Sequence, residues 1–173
     1  MVLPANKGLD RVVSGRELIS GSGLSVIDGK GRVSIPSDLR NAVFANSAER
    51  IFYLAKQSGQ AALIGYDKLA LEERNRNIEA AELAAASNGV PDYDIASRAK
   101  TFPSVETVPF DTSGRFVLSA KFRARAELEN LAFFAGFGRF FCIWNPLKLI
   151  ERPDVDDDLK DDVRWLLKER GLA

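Results

Sequence analysis

Apolar and polar positions alternate with a period of two in two short stretches of the chain. Val33 and Ile35 alternate with Arg32 and Ser34, and Phe116 and Leu118 alternate with Arg115 and Val117. That period belongs to strands with one buried face, so both arginines are expected to point away from the core. The stretches belong to a repeat. Asp28-Gly29-Lys30-Gly31-Arg32-Val33-Ser34-Ile35-Pro36-Ser37-Asp38-Leu39-Arg40 returns as Asp111-Thr112-Ser113-Gly114-Arg115-Phe116-Val117-Leu118-Ser119-Ala120-Lys121-Phe122-Arg123. Such self-similarity governs how the rest of the chain is organised.

Each copy opens with a β segment, 24–27 and 106–110, running into an Asp-x-x-Gly turn. Gly31 and Gly114 supply the positive φ that a tight turn requires, and the carboxyls of Asp28 and Asp111 can bond amides two or three residues on. A short helix follows each strand. Pro36, at a first helical position, introduces 37–44 with Leu39 and Val43 inward; Ser119 is the N-cap of its counterpart, with Phe122 and Ala126 inward. Hairpins close the copies: 51–54 with 61–66 around Gln57-Ser58-Gly59-Gln60, and 131–135 with 139–144 around Gly136-Phe137-Gly138.

Between the copies, Asp67 caps a helix through about Ala86 with an apolar edge of Leu71, Ile78 and Ala85, and a shorter helix over 92–100 brings the chain back. Asp154, Asp156, Asp157, Asp158, Asp161 and Asp162 precede Val163-Arg164-Trp165-Leu166-Leu167-Lys168, the pattern of an amphipathic helix with an acidic start. The expected organisation is an arm at 1–18, a first copy at 19–66, a helical linker at 67–104, a second copy at 105–150 and an acidic run with a terminal helix at 151–173. The arm lacks periodicity and is expected to be loose, with Lys7, Arg11 and Arg16 offering at most a weak phosphate contact.

Composition narrows the chemistry. The 173 residues, 46% hydrophobic and 28% charged, match one ordinary domain or two very small ones. No apolar run approaches the ~18–20 residues of a membrane span, and the first residues lack a signal-peptide centre, so a cytoplasmic protein is expected. Cys142 is the single cysteine and lies in Phe140-Phe141-Cys142-Ile143-Trp144, a buried-strand setting for a structural thiol. With no histidine, the commonest general base and zinc ligand are both missing. No enzyme, metal or cofactor is expected. The acidic run lacks the spacing of a calcium loop, and Gly136-Phe137-Gly138 lacks what a phosphate loop needs.

Lys plus Arg, 24, equals Asp plus Glu, 24, so a site for a polyanion must come from charge segregation. Arg32 and Arg115 are the leading candidates, with Arg40 and Arg123 on the helices and Lys30, Lys121 and Arg125 nearby. A guanidinium fork fits a phosphate or a guanine edge. The same arginines could simply pair with Asp28 and Asp111 across their own turns, and residue chemistry leaves both readings open.

The two Asp-x-x-Gly-Arg copies, Ile19-Ser20-Gly21 ahead of the first, the repeat spacing and the aromatic strand ends at Tyr66 and Trp144 resemble the paired SpoVT/AbrB-type domains of the MraZ family of bacterial transcriptional regulators. The resemblance covers roughly residues 19–150. It implies an α+β fold in which tandem AbrB-like repeats form a swapped-hairpin β-barrel with short helices and a linking helical hairpin. It further implies a ring-shaped, nucleoid-associated homo-oligomer binding repeated promoter elements in double-stranded DNA upstream of the division and cell-wall gene cluster. The DNA-binding residues would be Arg32, Arg115, Lys30, Arg40, Arg123 and Lys121, with Asp28, Gly31, Asp111 and Gly114 shaping the turns. A different class of function is an antitoxin-like interaction module whose 155–172 segment captures a partner protein.

Overall fold

A computed structural model describes residues 15–90 and 94–172. Lys7, Arg11 and the start of the helix expected from residue 92 lie outside the described residues. The strands are β1 (Ser22–Val26), β2 (Arg32–Ser34), β3 (Ile51–Lys56), β4 (Ala62–Tyr66), β5 (Glu106–Pro109), β6 (Arg115–Val117), β7 (Leu131–Gly136) and β8 (Phe140–Trp144). The helices are α1 (Ser37–Ser47), α2 (Lys68–Ala86), α3 (Ile95–Thr101), α4 (Ala120–Arg125), α5 (Pro146–Ile150) and α6 (Asp157–Glu169). The chain is α+β, with its strands paired antiparallel.

Six strands form a sheet in the order β1-β7-β8-β4-β3-β5, and β2 and β6 form a separate ribbon. The leading strand of each sequence copy joins the other copy's hairpin. Val26 of β1 lies opposite Leu131 of β7, and Pro109 of β5 opposite Ile51 of β3. Backbone bonds extend both pairings alike, Ile27 N–H to the Asn130 carbonyl at 2.7 Å and Phe110 N–H to the Arg50 carbonyl at 2.9 Å. At the sheet's centre β4 and β8 meet with Ile64 opposite Cys142, flanked by Leu63 with Ile143 and Gly65 with Phe141. A Cβ on Gly65 would lie 2.1 Å from Cζ of Phe141, so this ring requires a residue without a side chain opposite it.

Both faces of the sheet are covered. On one, Phe52, Phe134 and Phe141 pack with Val33, Ile35, Leu39, Phe116, Leu118 and Phe122 from the ribbon and the short helices α1 and α4. Phe52 meets Phe116 edge-on at 5.0 Å and Phe141 at 5.3 Å, a favoured aromatic geometry. On the other, Leu24, Ile64, Phe133, Cys142 and Trp144 pack with Val163 and Leu167 of α6. The alternation read from the sequence follows from this arrangement: Val33, Ile35, Phe116 and Leu118 are buried while Arg32, Arg115 and Val117 are exposed.

Helix boundaries follow their caps. Pro36 occupies the N-cap of α1 rather than its first turn, with φ −53° and ψ 145°. α1 continues past residue 44 until Ala48, at φ 57°, turns its N–H back to the Phe44 carbonyl at 2.9 Å. Ser119 caps α4 through Phe122 N–H, and Asp67 caps α2 through Ala70 N–H. Leu71, Ile78 and Ala85 are only half-buried. Among the bonds joining α2 to α3, Glu82, buried, accepts from Arg98 Nη2 at 2.6 Å and from Asp94 N–H at 3.0 Å, and Arg74 Nε donates to Thr101 Oγ1 at 3.2 Å. The bonds to Glu82 hold its carboxyl below its usual range, the Arg98 side chain being the largest cause.

Arg16 departs from the loose arm expected of 1–18. Its Nη2 lies 2.5 Å from Asp67 Oδ2 and 2.7 Å from the Arg139 carbonyl, with 12% of the side chain exposed and none of Asp67. Glu17 exchanges two 2.8 Å bonds with the Asn46 side chain. Arg16 is therefore engaged internally and is not free for a phosphate.

Candidate nucleic-acid interface

The two turns are built the same way, atom for atom. Asp28 Oδ1 accepts from Lys30 N–H and Arg32 N–H, each at 2.9 Å, and Oδ2 accepts from Arg32 Nε at 2.6 Å. Asp111 Oδ1 accepts from Ser113 N–H and Arg115 N–H, each at 2.9 Å, and Oδ2 from Arg115 Nε at 2.8 Å. The glycines lie at φ +78° and +81°, the left-handed region an L side chain resists. Charge-assisted bonds of this kind favour the ionised carboxylate. Both aspartates are accordingly held below the usual range, first by the backbone N–H of the arginine four residues on and then by its guanidinium.

The ion pairs therefore form, yet they do not bury the arginines. Arg32 and Arg115 keep 60% and 66% of their side chains exposed. Each aspartate engages Nε, and the terminal nitrogens of both forks have no partner among the described residues. The pairing with aspartate orients the fork and leaves its phosphate-matching edge open.

Ribbon register brings the two copies together. Arg32 lies opposite Val117 and Ser34 opposite Arg115, with Val33 and Phe116 paired between them. Successive residues alternate faces, so Arg32, Ser34, Arg115 and Val117 share the outer face. The two arginines are diagonal neighbours there, about 7–8 Å apart at the backbone.

The helix arginines sit crosswise. A Cβ on Gly31 would lie 3.5 Å from Nε and Cζ of Arg123, and one on Gly114 would lie 2.9 Å from Cδ of Arg40. Each helix thus rests its arginine on the turn of the other copy, a placement that strand exchange creates and the linear repeat does not announce. Arg123 Nε is buried with no hydrogen-bond partner. Lys30 is exposed beside the first turn. Lys121 instead forms an ion pair with Glu106 and lies over the Phe122 ring at 5.1 Å, so its charge is largely compensated.

Other chemistry recedes. Burial pushes the Cys142 thiol up to about 12, far from a nucleophile's range. Among the described residues no group of three or more His, Cys, Asp or Glu could hold a metal ion, and no helix is long and apolar enough to cross a membrane.

No family model matches the chain. Individual relatives do. A protein of Ruegeria sp. (strain TM1040) named "Transcriptional regulator MraZ" is 31% identical over 148 residues, 79% of this chain and 85% of the relative. Its namesake in Rhodospirillum rubrum is 32% identical over 127 residues, covering 71% and 76% of the two chains. That of Xanthobacter autotrophicus is 29% identical over 126 residues, covering 71% and 74%. Identity at this level across most of both chains, on a sequence built around two Asp-x-x-Gly-Arg turns, shows that the chain belongs to the MraZ family of transcriptional regulators.

Proposed function

We propose that this regulator binds double-stranded DNA in a sequence-specific manner through the exposed face of the β2–β6 ribbon. The observation that carries the reading is the diagonal placement of Arg32 and Arg115 on that face, each fork oriented by its own aspartate and left open to solvent. A guanidinium presented in this way suits phosphates and guanine edges. Strand exchange between the copies is what a tandem AbrB-like, swapped-hairpin barrel requires, and the reading extends to that fold.

One subunit offers few phosphate contacts, and DNA affinity scales with their number. A ring of subunits on repeated promoter elements makes later contacts intramolecular and raises avidity by about 10² to 10⁴. The proposed targets are repeats upstream of the division and cell-wall gene cluster, and the proposed setting is the cytoplasm at the nucleoid. The interaction-module alternative is less favoured, because α6 places Val163 and Leu167 in this chain's own core.

Gel shifts on a duplex carrying such repeats test the assignment. Arg32→Ala with Arg115→Ala should weaken binding about 100-fold or more, since charge-assisted contacts contribute about 1.5–3 kcal/mol each. The thermal melt should be unchanged, because both side chains are exposed. Undiminished binding by the double variant overturns the reading.

A further inference from the structure

We propose that each phosphate-binding unit is composite: the turn arginine of one copy and the helix arginine of the other grip the same DNA phosphate, Arg32 with Arg123 and Arg115 with Arg40. The inference rests on the DNA reading above and specifies how its surface divides into sites.

Three observations converge on it. Gly31 and Gly114 are needed twice over, once for their positive φ and once because a Cβ would crowd the other copy's structure. On Gly31 it would come within 2.8 Å of the Leu118 carbonyl and 3.5 Å of the Arg123 fork; on Gly114 it would meet Arg40 at 2.9 Å and the Ile35 carbonyl at 3.0 Å. Arg32 and Arg115 directly follow these glycines, so each turn carries its own arginine while holding one from across the molecule. Arg40 and Arg123 are half-buried and have no ion-pair partner among the described residues, and Arg123 Nε is buried without an acceptor. A half-desolvated guanidinium without a counter-charge is unfavourable, and an anion reaching the turn offsets that cost. The arrangement occurs twice, in the same sense.

Composite sites have a signature that independent contacts lack. A phosphate gripped from two sides is released when either side is removed, so the second substitution within one unit adds little. Two substitutions in different units multiply. Fluorescence anisotropy of the full chain with a duplex carrying the repeated element, titrated at several salt concentrations, reads this directly.

Arg32→Ala and Arg123→Ala should each cost about tenfold, and their combination about tenfold again in total, with the salt slope reduced by about 0.9 once. Arg32→Ala with Arg40→Ala, which lie in the same copy but different units, should cost about 100-fold and reduce the slope by about 1.8. Thermal melts accompany every variant, and Arg40→Gln and Arg123→Gln replace any alanine variant that melts early. If the crosswise pair multiplies as the same-copy pair does, or the same-copy pair is the one that saturates, the composite unit is wrong while the DNA reading stands. If Arg32→Ala binds undiminished the composite unit is wrong, and if Arg32→Ala with Arg115→Ala also binds undiminished the DNA reading falls with it.

Discussion

The two copies end their hairpins at equivalent places, and the residue that follows shows how one position can be satisfied in two ways. Tyr66 is followed by Asp67 and Trp144 by Asn145, each the N-cap of the next helix. Asn145 accepts from Leu147 and Lys148 N–H and donates to the Glu127 carbonyl at 2.8 Å, so an amide with both donors and acceptors is satisfied within the second copy. Asp67 can only accept. Fully buried, it takes Ala70 N–H at 2.7 Å, Asn46 Nδ2 at 2.8 Å and, from 51 residues away, the Arg16 guanidinium. A buried carboxylate needs a counter-charge. That requirement draws the residues ahead of the first copy into the fold, and the second copy has no corresponding need.

Substitutions at these caps should separate the copies most widely. Asp67→Ala leaves Arg16 buried without its counter-charge and should cost about 3–5 kcal/mol. Asn145→Ala removes an ordinary cap and should cost about 1–2 kcal/mol. Urea denaturation of both variants checks the gap; equal losses would mean that the ion pair contributes nothing beyond capping. A smaller effect than that of Asp67→Ala is expected at the central seam, where Gly65→Ala pushes into the Phe141 ring and should cost about 1–3 kcal/mol by overpacking. Phe141→Leu in the same chain should recover part of that loss, whereas the neighbouring Leu63 and Ile143 pair needs no such compensation.

The smallest difference should be between the turns themselves. Asp28 and Asp111 have folded-state pKa values below the ordinary 3.8, so their contribution is present above that value and is lost as pH falls through the lowered ones. Carboxyl-carbon NMR titrations should follow the two aspartates together, since their donors are the same. A separation between them would show that Lys30, which has Ser113 as its counterpart, matters to the first turn.

Local features were the legible ones. Val33, Ile35, Phe116 and Leu118 declared their face because a half-buried strand repeats every two residues, and Asp67 and Ser119 declared their helices because capping acts over three residues. The chemistry of Asp28 and Arg32 could also be read, but not its outcome: whether an ion pair hides an arginine depends on the exposure of the whole loop. Arg40 on Gly114 and Arg123 on Gly31 could not be read at all, because strand exchange between copies brings them together. Arg16 was missed for the same kind of reason, its partner lying 51 positions away. On α2 the apolar edge was legible, Leu71 packing against the core, but the docking of α3 through Glu82, a buried carboxylate, was not.

Exchange of leading strands also sets a timetable for synthesis. β1 has β7 as its partner in the sheet, and more than a hundred residues separate Val26 from Leu131 opposite it. At about 5–20 residues per second, the first strand emerges roughly 5–20 s before its mate exists. During that interval the nascent chain carries a bare strand edge of the kind that invites wrong partners. Neither copy's sheet is complete without a strand from the other, so the first-made strand must wait for the last-made hairpin.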